Sequence, residues 1–255
     1  MKRRQLIGYA GVGLVTAVIA NLGDQVPVNA QNSDVSIQWL GHTCFLLTTE
    51  NVKILINPFN NLGCTAKYRP PIVKTDLVLI SSQLLDEGAI DKIPGNPKLV
   101  YQPGVYEFRG VKFQGITTDH DRQGGKRFGK NVVWKLTSRG MNLLHLGGSA
   151  APITLEQKIL MGRPDVLFIP VGGSAKAYNA QEAKDAIAVL NPKLVIPTHY
   201  RTAAADSDNC DITPVDNFLT LMQGVNIRRS NNDSVIVNSQ SLPKNTEIQI
   251  LSYKF

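Results

Sequence analysis

Four histidines and one adjacent carboxylate pair hold most of the reactive chemistry of this chain: His42, His120, His145, His199 and Asp86-Glu87. Imidazole and carboxylate bind divalent metals, and imidazole exchanges protons near neutral pH. His120 lies between Asp119 and Asp121 in the stretch TTDHD. That setting allows three readings: a metal ligand, a base oriented by a carboxylate, or a polar residue on a rim or in a core. Asp86 and Glu87 stand directly before Gly88 in LISSQLLDEGA, residues 79–89. They read either as a ligand pair or as the acidic first turn of a short helix, where the helix macrodipole favours negative charge. Three cysteines complete the set. Cys44 sits in the apolar run CFLL and reads as a buried free thiol. Cys64 and Cys210 lie in polar, loop-like stretches, NNLGCTAKY and DSDNCD, which suits a disulfide closing a very long loop. No Cys-x-x-Cys zinc pattern is present.

A strand-rich frame must position these residues. Short runs over residues 36–40, 44–48, 53–56 and 77–80 are punctuated by Gly41-His42, Glu50-Asn51 and Asn57-Pro58, the spacing of a β-meander. Further strands are expected over 98–101, 111–116, 131–136, 142–146 and 166–169, with a short buried one over 194–196 ending at Pro197-Thr198-His199. Helical spacing puts Ala183, Ala186, Ile187 and Leu190 on one stripe within residues 179–190, and residues 155–160 and 216–222 repeat the pattern more weakly. Two strand-rich halves, about 35–123 and about 131–255, each carry helices. They imply an α+β fold in which two sheets pack face to face with helices outside, a four-layer αββα sandwich. Periodicity alone leaves other α+β folds open.

The first 30 residues stand apart. Lys2, Arg3 and Arg4 precede an uncharged run over residues 5–23, and Val28-Asn29-Ala30 offers a small-residue cleavage site. The segment is expected to be an export signal. Paired arginines followed by Gln5, Leu6 and Ile7 resemble a twin-arginine signal, with an ordinary secretory signal as the other reading. Export through the twin-arginine translocase would place a mature domain of residues 31–255 in the periplasm or an equivalent extracytoplasmic lumen, where disulfides persist. Without residues 1–30, which hold three of the 27 basic and one of the 20 acidic residues, the chain carries +5. Its basic residues are dispersed rather than gathered in a patch with interleaved aromatics, which argues for a solvated surface and against a nucleic-acid groove.

Four short motifs fall in a fixed order along the frame. Leu40-Gly41-His42 ends the first strand and Ile56-Asn57-Pro58 follows the third; Pro170-Val171-Gly172-Gly173 and Pro197-Thr198-His199-Tyr200 come later. Together they resemble metallo-β-lactamase-fold hydrolases over about residues 39–200, in particular the branch of ascorbate-6-phosphate lactonases and related phosphodiesterase-like proteins. The resemblance implies the αββα sandwich and a dinuclear metal site whose main ligand loop reads Ser-His-x-His-x-Asp-His. In this chain the three histidine positions of that loop hold Ser82, Leu84 and Glu87, while Asp86 is kept. Later ligand histidines fall on His120 and His199 and are kept. The bridging aspartate falls on Gly148 and the aspartate of the Ile-Asp-Pro turn on Asn57. His42 and His145 match family histidines outside the ligand set and read as structural, hydrogen-bonded by backbone.

The first implied metal would be left with one imidazole, where zinc needs three or four donors. The second keeps Asp86 and His199, with Glu87 as a substitute, and two carboxylates and an imidazole can hold one Zn, Mn or Fe ion if their geometry agrees. The expectation is an exported protein with a degenerate dinuclear site and no metal cofactor. It would act as a non-hydrolytic binding or scaffolding protein for an unidentified small-molecule ligand. The old cleft would be lined by His42, Asp86, Glu87, His120, His199 and Tyr200, with the altered positions Asn57, Ser82 and Gly148 beside it. The alternative is a one-metal hydrolase of phosphodiester, lactone or amide bonds using Asp86, Glu87, His199 and His120. Ser82 beside His120 raises a serine–histidine nucleophile pair, but a serine reaches less far than the histidine it replaces. Gly172-Gly173 reads as tight packing at a turn rather than phosphate contact. The loops bearing Cys64 and Cys210 would meet near the cleft mouth.

Overall fold

Alternating burial along Val35–Gly41 (β1), with Val35, Ile37 and Trp39 turned inward, marks a strand that lies against a second layer. The computed structural model describes residues 34–49 and 51–254, and the export segment expected over residues 1–30 lies outside them. The strands that follow are Cys44–Thr48 (β2), Lys53–Ile56 (β3), Leu77–Leu79 (β4), Lys98–Val100 (β5), Gly104–Phe108 (β6), Val111–Asp119 (β7), Lys130–Ser138 (β8) and Met141–His145 (β9). Helix Leu155–Met161 (α1) leads to Val166–Pro170 (β10), and Ala180–Leu190 (α2) to Leu194–Thr198 (β11). Val215–Leu221 (α3) precedes the last three strands, Asn226–Arg229 (β12), Ser234–Val237 (β13) and Glu247–Ile250 (β14).

Among the described residues these strands form two mixed sheets, in the orders β13-β1-β2-β3-β4-β5 and β12-β14-β11-β10-β9-β8-β7-β6. Trp39, Phe45, Ile54 and Leu79 of the smaller sheet share one core with Trp134, Leu143 and Phe168 of the larger, and the rings of Phe45 and Phe168 meet edge-on at 4.7 Å. β9, β10 and β11 run parallel. The crossovers between them carry α1 and α2, which pack against each other, as they do when such crossovers follow the general right-handed rule. β10 and β11 are therefore covered on both sides and buried at every position. Ala183, Ala186, Ile187 and Leu190 are the buried stripe of α2, and Asn179 and Glu182 cap its start reciprocally.

The smaller sheet is covered differently. Cys44, Leu55, Val78 and Ile80 pack under Phe59 and Tyr68 from the connection after β3, which contains only a 3-10 turn at Gly63–Thr65. The α+β sandwich is thus formed with loop, not α-helix, as its fourth layer among the described residues. Cys44 is a buried free thiol, whose pKa burial raises.

Two expectations are corrected. The sheets do not divide the chain near residues 123–131: β7 pairs with β8 from Lys112↔Thr137 to Asp119↔Lys130, so β6 and β7 belong to the larger sheet, and β13 crosses back to pair with β1. The hairpin wins because its partners are adjacent in sequence and close a short loop. No helix follows β4 either. The Glu87 and Gly88 N–H groups both donate to the Leu84 carbonyl, at 2.9 and 2.7 Å, and Ala89 N–H donates to Pro58 at 2.9 Å. The segment is a turn fastened to the loop after β3.

Candidate functional site

His42 occupies the turn between β1 and β2, and His199 follows β11. The His199 N–H donates to the His42 carbonyl at 3.2 Å, and the two rings lie 4.3 Å apart. Gly172 lets the turn after β10 come close: its N–H donates to the His199 carbonyl at 3.0 Å, and a Cβ there would lie 2.2 Å from that oxygen. His42, Asn57, Ser174 and His199 hold left-handed φ values of 53°, 51°, 81° and 49°. The other described non-glycine residues with such φ, Arg109, Arg139 and Asn191, sit at hairpin turns or a helix C-cap. Left-handed backbone outside hairpin turns and caps is thus held, among the described non-glycine residues, by Asn57, Ser174 and His199, and His42 meets His199 from its hairpin turn, a gathering of the kind found where a fold holds a site.

Two ion pairs fill the centre. The Lys176 ammonium donates to Asp86, whose Oδ2 also lies 3.8 Å from His42 Nε2. Burial would raise the Asp86 carboxyl, but His42 and Lys176 together hold it well below the ordinary carboxylate range. Beside it, His120 Nε2 donates to Glu87 Oε2 at 3.1 Å, and both side chains are fully buried. The second nitrogen, His120 Nδ1, donates to the Lys176 carbonyl at 2.9 Å. Burial alone would neutralise both groups. The mutual attraction prevails, lowering the Glu87 pKa and raising that of His120, which favours imidazolium beside carboxylate. Arg122 fixes the turn that carries Lys176, donating to the Ser174 and Ala177 carbonyls at 3.0 Å each and to Glu182 at 2.6 Å.

These donors do not fit the metal ions that the family resemblance implies. Lys176 claims Asp86, and Glu87 and His120 claim each other. An imidazolium that donates from both nitrogens has no lone pair for a metal. The space for a side chain at Gly148 is also taken, since a Cβ there would lie 2.2 Å from His120 Cε1 and 2.7 Å from Glu87 Oε1. Among the described residues, no group of three His, Cys, Asp or Glu is arranged to hold an ion.

A cavity of about 160 Å³ opens beside the Asp86–Lys176 pair, lined also by His42, Ser174 and His199. Glu87, His120, Asn57, Ser82, Gly148 and Tyr200 do not line it. Ser82 Oγ donates to Glu87 at 3.1 Å, so the glutamate, not His120, accepts its hydrogen bond. Asn57 accepts the Ser81 N–H at 2.8 Å and, as an amide, needs no counter-charge there. Tyr200 packs on Trp39 at 5.2 Å and donates to the Leu251 carbonyl at 3.4 Å. Asp121 does not orient His120. Its carboxylate accepts the N–H groups of Phe128, Gln123, Arg127 and Gly125, and these bonds hold its pKa down to about 2.

The two structural histidines differ. His145 Nε2 donates to the Thr43 carbonyl at 3.0 Å and Nδ1 accepts from Gly147, and burial pushes its pKa down to about 4. His42 lacks such a backbone partner: neither ring nitrogen is hydrogen-bonded, because its left-handed turn aims the ring into the cavity. The His199 pKa, like that of His145, is driven down by burial, and His42 lowers it further. Lys176 was not among the expected site residues. Its signal was a lysine three positions beyond Gly173, in the same turn as the Gly-Gly motif.

The far wall of the cavity is the expected disulfide. Cys64 and Cys210, 146 positions apart, join the 3-10 turn to the segment that carries Asn209 and Asp211. A Lys67–Asp206 ion pair at 3.2 Å and a Tyr68–Thr202 hydroxyl contact at 2.6 Å tie the same two loops.

Comparison with known proteins shows what the chain is similar to. Residues 36–199 match the family described as Beta-lactamase superfamily domain. A UPF0173 metal-dependent hydrolase of Thermoplasma acidophilum is 24% identical over 196 residues, covering 66% of this chain and 84% of the relative. One of Carboxydothermus hydrogenoformans is 29% identical over 198 residues, covering 66% and 85%. The crystal structure of a candidate Zn-dependent hydrolase of the metallo-beta-lactamase superfamily from Thermotoga maritima superposes with a TM-score of 0.68 at 30% identity, covering 86% of this chain and 100% of that one.

Proposed function

We propose, since this chain belongs to the beta-lactamase superfamily, that it keeps the fold of these hydrolases, has lost their metal centre, and binds a small polar molecule without hydrolysing it. The observation that carries this reading is the pair of internal cations. Lys176 and the His120 imidazolium neutralise Asp86 and Glu87, the carboxylates that a metal would need. Without a metal, no group in the site lowers the pKa of water from about 15.7 to about 7, and a positioned base supplies only about 10²–10⁴-fold. What remains is a recess with unpaired imidazole nitrogens and an ion pair, which suits a hydrogen-bonding ligand.

Elemental analysis of the purified protein should return far less than one transition metal per chain. Generic phosphodiester and lactone substrates should not turn over, with or without added Zn²⁺ or Mn²⁺. An Asp86→Ala/His199→Ala variant is the control. Turnover by the wild type but not by this variant would establish the second reading, a one-metal hydrolase. That reading is favoured by the relatives' names and by the resemblance to the ascorbate-6-phosphate lactonase branch, and lactones, phosphodiesters and amides are its substrate classes.

We also propose that residues 1–30 direct export to an extracytoplasmic compartment, a reading supported by the Cys64–Cys210 disulfide, since such bonds persist where the environment is oxidising. Replacing Arg3 and Arg4 by Lys should leave precursor in the cytoplasm. Unchanged export would remove the twin-arginine reading.

A further inference from the structure

We infer that the recess beside the Asp86–Lys176 pair is a binding site for a small neutral polyhydroxy compound, recognised by the rings of His42 and His199. The inference rests on the metal-free binding reading above and names the ligand class for it. His42 is 3% exposed and His199 1%, yet both His42 nitrogens and His199 Nδ1 lack a hydrogen-bond partner. A buried polar atom left unpaired is costly. Three of them, on two touching rings that line one recess, call for a partner from outside the chain.

The chemistry of that partner follows from what the lining groups give and accept. An imidazole nitrogen donates or accepts according to tautomer and charge, and a hydroxyl does either, so hydroxyls match these rings in every protonation state. His42 Nε2 and Asp86 Oδ2 stand 3.8 Å apart, too far for a hydrogen bond and near enough for one hydroxyl oxygen to bridge both. The Lys176 ammonium has three donors and Asp86 accepts one, which leaves donors for further hydroxyl oxygens. A charged ligand fits less well. The recess sets two carboxylates, Asp86 and Asp211, against one ammonium, so an anion would face an excess of negative charge, and a cation would meet Lys176 where it holds Asp86. Leu62 and Ile212 supply an apolar edge for C–H groups. The volume of about 160 Å³ is that of about five water molecules, room for a chain of about three or four hydroxylated carbons.

The test follows the ring signals of the four histidines by proton–carbon NMR while glycerol, erythritol and inorganic phosphate are titrated separately into wild type, His42→Phe and His199→Phe. Phenylalanine keeps a ring and removes the nitrogens, and each variant also assigns the signal it lacks. At least one polyol should shift the His42 and His199 signals saturably and leave His145, whose nitrogens are already bonded, unmoved. Affinity should fall about tenfold in either variant. Saturable polyol shifts that weaken in the variants support the inference, and if a variant fails to fold the wild-type titration decides alone. No saturable shift by either polyol up to about 0.1 M overturns it, the recess then holding water only. Polyol shifts undiminished in both variants overturn it as well. Saturation by phosphate in place of the polyols overturns the neutral class and leaves the non-hydrolytic reading standing, whereas stoichiometric metal or turnover in the assays above overturns that reading and the inference with it.

Discussion

Glu87→Ala lowers stability by about 3–5 kcal/mol, because it breaks a buried ion pair and strands the partner. For a domain of this size that is a fall of roughly 10 °C or more in the thermal midpoint. Glu87 and His120 are each fully buried, and Glu87 Oε2 accepts from both His120 and Ser82, so one truncation leaves two donors unpaired. Glu87→Gln should cost less, since an amide oxygen still accepts from Ser82. The pH dependence has a definite sign. The folded pKa of Glu87 is lowered from 4.5, so its contribution is present above that value and is lost as pH falls through the folded pKa. That of His120 is raised from 6.5, so its contribution is present below that value and is lost as pH rises through the folded pKa. The gap between wild type and Glu87→Ala should therefore be widest between about pH 4.5 and 6.5. Thermal unfolding across pH checks this. A variant within about 1 kcal/mol of wild type at pH 5.5 would show that the pair contributes little.

Cys64→Ser/Cys210→Ser, or reduction of the wild type, should cost about 5 kcal/mol in the chain-entropy account of so long a loop. The midpoint should drop by about 10–20 °C. The bond joins the two loops that wall the cavity, so ligand affinity should fall along with stability. Melting curves with and without reductant, beside non-reducing peptide mapping, read both the bond and its effect. Equal melting temperatures would mean that Lys67–Asp206, Tyr68–Thr202 and loop packing alone hold the wall.

Which elements were legible follows from burial. The strands over Cys44–Thr48, Lys53–Ile56 and Val166–Pro170 have one or both faces in the core, so their apolar pattern announces them. β13 and β14, the four-residue runs SVIV and EIQI, are too short to stand out among polar neighbours, and β6 and β12 are unmarked because they are exposed edge strands. Val105 is 80% exposed and NIRR is exposed at every position, so no apolar pattern marks them. The site divides in the same way. The cysteine pairing can be read from residue types and order. At Asp86-Glu87 the bonds to Leu84 close one helical turn, and the Ala89 N–H, donated to Pro58 across the fold, ends it there.

The sequence by itself determined the frame: apolar periodicity for the sandwich, and the motifs that bring His42 and His199 near each other. Only the tertiary structure decided what each remaining charged group faces. Lys176 reaches Asp86 across 90 positions, and His120 reaches Glu87 across 33. Such pairings depend on which backbone turns converge and on how much water is excluded there, and a linear order of residue types specifies neither. Lys176 meets Asp86 from a turn whose Ser174 and Ala177 carbonyls Arg122 holds, a convergence that the order of residues alone does not specify.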